Sequence, residues 1–134
     1  MKYKSTLDGI TPTMLDGFFV GWPNPPSANK LFEILSNSYK FVLAIDEKTD
    51  KVIGFITAIS DGVLSAYIPL LEVLPYYQKQ GIGSEMVKRL LQQLSDIYMV
   101  DLICDENLQE YYERLGLKKA NGMIIRNFAN QSGR

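Results

Sequence analysis

Between an apolar run ending at Leu74 and an amphipathic helix lies Gln78-Lys79-Gln80-Gly81-Ile82-Gly83, the stretch of this 134-residue chain whose residue types and spacing best suit chemistry. Glycines at the mouth of a helix let a ligand approach the backbone closely. The unbonded N–H groups of the first helical turn, at the positive end of the helix dipole, suit a phosphate. No Gly-Lys-Ser/Thr follows the glycines, so the loop is not a Walker P-loop, and one glycine of the dinucleotide fingerprint is missing. Taken alone, Gly-x-Gly before a helix is ordinary turn chemistry. The chain contains no histidine and one cysteine, Cys104. That excludes Ser-His-Asp and Cys-His nucleophile systems, a His-ligated zinc site and a His general base. Proton transfer must therefore use Tyr, Glu, Asp, Lys or water.

These residues need a scaffold, and length and composition describe one ordinary globular domain spanning residues 1–134. Fourteen Lys and Arg oppose fifteen Asp and Glu. That balance gives no basic face for nucleic acid or an anionic membrane, and no apolar run reaches the length of a membrane span. With no signal-peptide pattern and no possible internal disulfide, the expected compartment is the cytoplasm.

The N-terminal third is irregular. A short strand is expected at Lys2–Leu7 and a short helical segment near Met14–Phe19, entered through Thr11-Pro12. The loop Gly21–Ser27 follows, with three prolines, and then a helix over Ala28–Ser36 capped by Ser27. Strands are expected at Phe41–Ile45 and Val52–Ile59, joined by a polar hairpin. Asp61-Gly62 makes a turn into a third run from Val63 to Leu74. Met86, Val87, Leu90, Leu91, Leu94 and Ile97 stripe one face of a helix covering a sheet. A buried strand at Val100–Cys104, a short helix at Leu108–Leu115 and a final strand at Met123–Phe128 complete a mixed α/β domain.

Two motifs carry a resemblance. Gln78-x-x-Gly81-x-Gly83, five residues after Val73, resembles the Q/R-x-x-G-x-G/A motif of the GNAT superfamily of acetyl-CoA-dependent N-acetyltransferases. About thirty residues on, Tyr111-Tyr112-Glu113-Arg114-Leu115-Gly116-Leu117 resembles that family's FYxxxGF segment. The resemblance implies a central mixed, mostly antiparallel sheet with one splayed parallel strand pair, flanked by helices. It implies that acetyl-CoA is the cosubstrate, with no metal. The pantetheine arm would bond to backbone groups of Leu71, Glu72 and Val73. The pyrophosphate would lie on the loop formed by Gln78, Lys79, Gln80, Gly81, Ile82, Gly83 and Ser84, where Gln78 and Lys79 replace the family's common Arg-Gly pair. Tyr112 matches the tyrosine that protonates the departing thiolate, and the Val73 N–H matches the donor to the thioester oxygen.

The general base is not marked by a motif. The family's frequent acidic position falls on Leu70. Glu72 is the only carboxylate on the strand, and alternation puts it on the face opposite Leu71 and Val73 unless a bulge re-aims it. The same alternation puts Tyr67 on the Val73 face, where it could order a water. Trp22, held among prolines, is either part of a lid over core or a wall of the acceptor site. Cys104 reads as a small core residue, Tyr111 as packing, and Tyr76 and Tyr77 as packing or surface. Two functions compete: transfer of acetyl to a primary amine of a small molecule or peptide, and a module of the same fold that binds acetyl-CoA without turnover. A homodimer is compatible with either.

Overall fold

The computed structural model describes residues 1–134 as a six-stranded sheet between two helical layers. The strands are β1 (Lys2–Lys4), β2 (Lys40–Asp46), β3 (Lys51–Ser60), β4 (Ser65–Ile68), β5 (Leu71–Val73) and β6 (Met99–Leu102). The helices are α1 (Ala28–Ser36), α2 (Ile82–Gln93) and α3 (Gln109–Arg114). The sheet order is β1-β2-β3-β4-β6, with β5 also paired to β3. All pairings are antiparallel except β4 with β6.

Both faces of the sheet centre are apolar, as β2 shows by strict alternation. Val42 and Ala44 pack under α2 with Met86, Val87 and Leu90, whereas Phe41, Leu43 and Ile45 pack against α1 and the N-terminal segment with Leu15, Leu31 and Leu35. A strand buried on both sides reads as a continuous apolar run, which is what Phe41–Ile45 shows. Ser27 caps α1, accepting a hydrogen bond from the Lys30 N–H at 3.1 Å. Asp61 closes the turn before β4, accepting from the N–H groups of Val63 and Leu64 at 2.8 and 2.9 Å.

The run from Val63 to Leu74 is two strands rather than one. Ile59 lies opposite Tyr67 and Ile56 opposite Leu71, so three residues of β3 face four of the other chain segment. The extra residue is a β-bulge at Pro69-Leu70, where proline has no N–H for the ladder. The bulge inverts the parity of everything after it. Ala66 and Ile68 share the α2 face with Leu71 and Val73, while Tyr67 falls on the opposite face with Leu70 and Glu72. The expectation that Tyr67 lies on the Val73 face is therefore wrong: it holds only for an unbroken strand.

Other elements differ from expectation in extent or kind. β1 stops at Lys4, and the first helical segment is a single 3-10 turn, Pro12–Leu15. The helix expected at Leu108–Leu115 is α3, entered through a 3-10 turn, Glu106–Leu108. The strand expected at Val100–Cys104 is β6, an edge strand only half covered, with Cys104 beyond its end and part-exposed. Met123–Phe128 is not a strand. Gly122 passes against Ile103, and Gln131 accepts the Asn24 N–H at 2.8 Å, so the tail is drawn off the sheet edge toward α1.

Thr57, on β3, is fully buried and its hydroxyl has no hydrogen-bond partner. An unpartnered buried hydroxyl costs about 1–3 kcal/mol. Thr57→Val is accordingly expected to raise stability by about 1 kcal/mol, read as a higher midpoint in urea unfolding with an unchanged slope.

Candidate active site

β5 offers one bonded edge and one free edge. The Thr57 N–H reaches the Leu70 carbonyl at 3.1 Å and the Leu74 N–H reaches the Ile53 carbonyl at 2.8 Å. Antiparallel alternation then turns the backbone groups of Leu71 and Val73 away from β3. No strand meets them, because β6 follows β4 and not β5. The gap is the splay that the motifs imply, and the side chains of Leu71 and Val73 point from it toward α2. The Gln78 side chain donates to the Val73 carbonyl at 2.9 Å.

The loop from β5 to α2 is anchored before it reaches the helix. The Tyr77 hydroxyl donates to Asp46 at 2.6 Å, which holds the Asp46 carboxyl below the usual carboxylate range and lifts the Tyr77 phenol. Lys79 and Gly81 then both take left-handed conformations, with φ of 63° and 83°. Position 79 explains why the family's usual pair ends in glycine: lysine bears a steric cost there that glycine does not. α2 starts without a side-chain cap. Its first intrahelical bond, from the Glu85 N–H to the Gly81 carbonyl at 3.1 Å, leaves the N–H groups of Ile82, Gly83 and Ser84 unsatisfied by the helix. Four features therefore converge: a free strand edge, a glycine-lined turn, three available N–H groups and a positive helix end. They fit the extended amide arm and pyrophosphate of a coenzyme A thioester.

α3 brings the tyrosine pair over this gap. The rings of Tyr111 and Tyr112 meet edge to face at 5.0 Å. Tyr112 packs against the α2-side core, and burial pushes its phenol up to about 12. Tyr111 is more than packing. Its hydroxyl lies 3.0 Å from Ser84 Oγ, and a Cβ on Gly83 would meet it at 3.4 Å. The motif singled out Tyr112, but nothing in the sequence showed that the Tyr111 hydroxyl reaches Ser84, since adjacent helical residues differ in the direction they face.

Glu72 and Trp22 meet on the other side of β5. Glu72 Oε1 accepts the Phe19 N–H at 2.8 Å and Oε2 accepts the Val20 N–H at 3.2 Å. The alternation places Glu72 opposite Leu71 and Val73, as expected, and these two bonds tie the N-terminal segment to the strand. Phe19, Val20, Trp22, Leu70, Glu72 and Gln78 line part of a cavity of about 420 Å³. The Trp22 ring leans on Phe19 at 4.9 Å. Tyr67 does not line this cavity. Because Leu71 and Gln78 do, the cavity opens onto the free edge of β5.

A bulged, splayed mixed sheet with a glycine turn at its central helix defines the acetyltransferase fold. Residues 7–117 match the model of the acetyltransferase (GNAT) family, and the chain belongs to that family. It is 33% identical over 110 residues to the soybean (Glycine max) protein named histone acetyltransferase TAP1, covering 74% of this chain and 47% of that one. The chain thus spans about half the length of the curated relatives it matches. Among solved structures, a chain assigned as an acetyltransferase from Deinococcus radiodurans R1 is 50% identical with a TM-score of 0.96, over 99% of this chain and 92% of that one. A GNAT family protein of Streptococcus pneumoniae TIGR4 is 31% identical with a TM-score of 0.73, over 94% and 97%.

Two outcomes are expected. Gly83→Asp should fold normally, since its Cβ meets only ordinary contacts and an acidic residue suits a helix start. It should nonetheless lose the stabilisation by coenzyme A, about 2.7 kcal/mol for wild type at a hundredfold excess over Kd, read by thermal denaturation. Tyr112 should be the last of the eight tyrosines to ionise in an ultraviolet titration. Its phenol is raised in the folded state, so its contribution to stability is complete below the unfolded value near 10 and lost as pH rises through about 12. Tyr112→Phe should remove that alkaline loss.

Proposed function

We propose that this chain transfers an acetyl group from acetyl-CoA directly to a primary amine. The observation that supports this best is the opening of the Glu72–Trp22 cavity onto the free edge of β5. An amine held on one side of the strand would meet a thioester held on the other. Acetyl-CoA supplies the acetyl group in activated form, and the rest is positioning and proton management.

On the coenzyme side, the Val73 N–H would donate to the thioester oxygen as negative charge grows there, and the N–H groups of Ile82, Gly83 and Ser84 would hold the pyrophosphate. On the amine side, Glu72 has both oxygens fixed by backbone N–H groups, and each oxygen retains acceptor capacity for an ammonium or an ordered water. Trp22 offers an aromatic face for a cation or its apolar body. The nitrogen bonds to the acyl carbon as the carbon–sulfur bond breaks. Of the two protons an ammonium loses, one ends on sulfur and the other leaves through Glu72 or water.

Tyr112, by its motif position, would donate to the departing thiolate. Its raised phenol stays protonated at neutral pH, and the burial that raises it would raise an adjacent thiolate as well, so the gap between donor and acceptor widens less than the shift of the phenol alone would give. An acetyl-CoA-binding module without turnover would keep the turn and the free edge but would need neither the cavity nor this tyrosine.

Release of coenzyme A thiol, followed with a thiol reagent across a panel of amines, tests the proposal. Wild type is expected to turn over at least one amine. Tyr112→Phe is expected to lower kcat by about 10²- to 10⁴-fold with coenzyme A affinity unchanged. No thiol release with any amine would favour the binding module. Full activity in Tyr112→Phe with loss in Tyr111→Phe would move the donor to the neighbouring ring.

A further inference from the structure

α3 has little of its own to hold it in place. It is six residues long, none of them buried, and no side chain caps its start. A helix that short does not form in isolation, so its position is set by what it touches. Tyr112 and Leu115 pack on the α2-side core. The one hydrogen bond that joins α3 to another helix or strand is that between the Tyr111 hydroxyl and Ser84 Oγ, 3.0 Å apart and part-buried. The same hydroxyl lies over the glycine turn, where a Cβ on Gly83 would meet it at 3.4 Å and the Val73 side chain at 3.8 Å.

That hydroxyl is this chain's own. In the FYxxxGF segment the first position is phenylalanine, which packs but can neither donate nor accept, whereas here it is Tyr111. Its consequence falls on the next residue. The Tyr112 hydroxyl makes no hydrogen bond within the chain, so ring packing alone orients it. Neighbouring residues of a helix point about 100° apart, so the helix itself does not press two successive rings together. Here they meet edge to face, 5.0 Å between centroids and 78° between planes, a favoured aromatic geometry. A Tyr111 ring pinned at its hydroxyl therefore gives the Tyr112 ring a fixed surface to pack on. Ser84 belongs to the first turn of α2, so contact runs unbroken from that turn through Tyr111 to Tyr112.

We propose that Tyr111 is a positioning residue: through its hydroxyl contact with Ser84 it ties α3 to the α2 turn and holds the Tyr112 ring where its phenol reaches the departing thiolate. The inference rests on the acetyl-transfer reading, in which Tyr112 is the donor. Tyr111 itself gives no proton to the reacting atoms. Hydrogen bonds and the proton transfers along them weaken steeply with misalignment, so a small drift of the Tyr112 ring lowers the rate of the chemical step. Binding of the coenzyme is spared, because the backbone N–H groups of Ile82, Gly83 and Ser84 do not depend on the Tyr111 hydroxyl.

Removing either hydroxyl tests this. Tyr111→Phe keeps the ring, and Ser84→Ala keeps the backbone N–H. In the thiol-release assay each should lower kcat about three- to tenfold, the scale of one neutral hydrogen bond. The double variant should lose no more than the larger single loss, because both changes break the same contact. Tyr111→Phe should leave the calorimetric Kd for coenzyme A at the wild-type value. In a Tyr112→Phe background Tyr111→Phe should cost nothing further, since the ring it positions has no proton to give. Fluorine NMR of protein labelled with fluorotyrosine gives a readout free of turnover, with the Tyr112 resonance assigned by Tyr112→Phe. Ser84→Ala, which alters neither ring, should shift or broaden that resonance. If wild type releases thiol with no amine, the acetyl-transfer reading fails by itself, and the resonance alone decides whether the contact positions the ring. Wild-type kcat in Tyr111→Phe, a Kd that rises in step with the lost kcat, a further loss in the Tyr112→Phe background, or an unmoved Tyr112 resonance in Ser84→Ala would overturn the proposal.

Discussion

The extra residue at Pro69-Leu70 is the constraint on which the rest of the site depends. β3 is buried on both faces and cannot shift its register without exposing one of them, so the chain opposite it must absorb the irregularity. Proline makes the break inexpensive by removing a ladder donor at that point. Past the bulge, three consequences arrive together. β5 parts from the line that β6 follows. The backbone groups of Leu71 and Val73 face an open gap. Glu72 lands on the face of the N-terminal segment, not on the α2 face. Without the bulge, Glu72 would share a face with Ala66 and Ile68 and be driven into the α2 core.

β5 thereby becomes a partition. One side is electrically positive through an uncapped helix end and backbone donors. The other holds a carboxylate with a tryptophan beside it. The proposed reaction needs this separation, since an anionic coenzyme and a cationic amine must be bound within a few ångströms by opposite kinds of group. The Glu72 bonds to Phe19 and Val20 also make the catalytic candidate a structural tie. Strand position and cavity shape are coupled through one side chain.

The sheet's other margin obeys the same rule of backbone satisfaction and resolves it differently. At β5 the open groups face a gap that a ligand of peptide-like character would fill. At β6 they face solvent, beside apolar side chains that no part of the same chain covers.

The glycine turn, the helix it opens, the tyrosine pair and the order of elements were legible in the sequence, because each depends on local rules: left-handed turn residues, helical periodicity and short strand runs. What no local rule could supply was the parity after the bulge at Pro69-Leu70. Tyr67 changes its relation to Val73, and Glu72 its relation to Ala66 and Ile68, according to whether one residue is looped out, and only pairing with β3 decides it. Likewise the sequence placed Tyr111 and Tyr112 together but could not say which hydroxyl reaches Ser84, because that turns on how α3 docks across the gap. The strand-like pattern of Met123–Phe128 suggested a final strand, which the structure does not form. Whether it pairs depends on where the tail is anchored, and contacts at Ile103 and Asn24, distant in sequence, carry it away from its own sheet. Local chemistry follows from neighbours along the chain. Which face a residue shows, and which edge is left open, follows from neighbours across it.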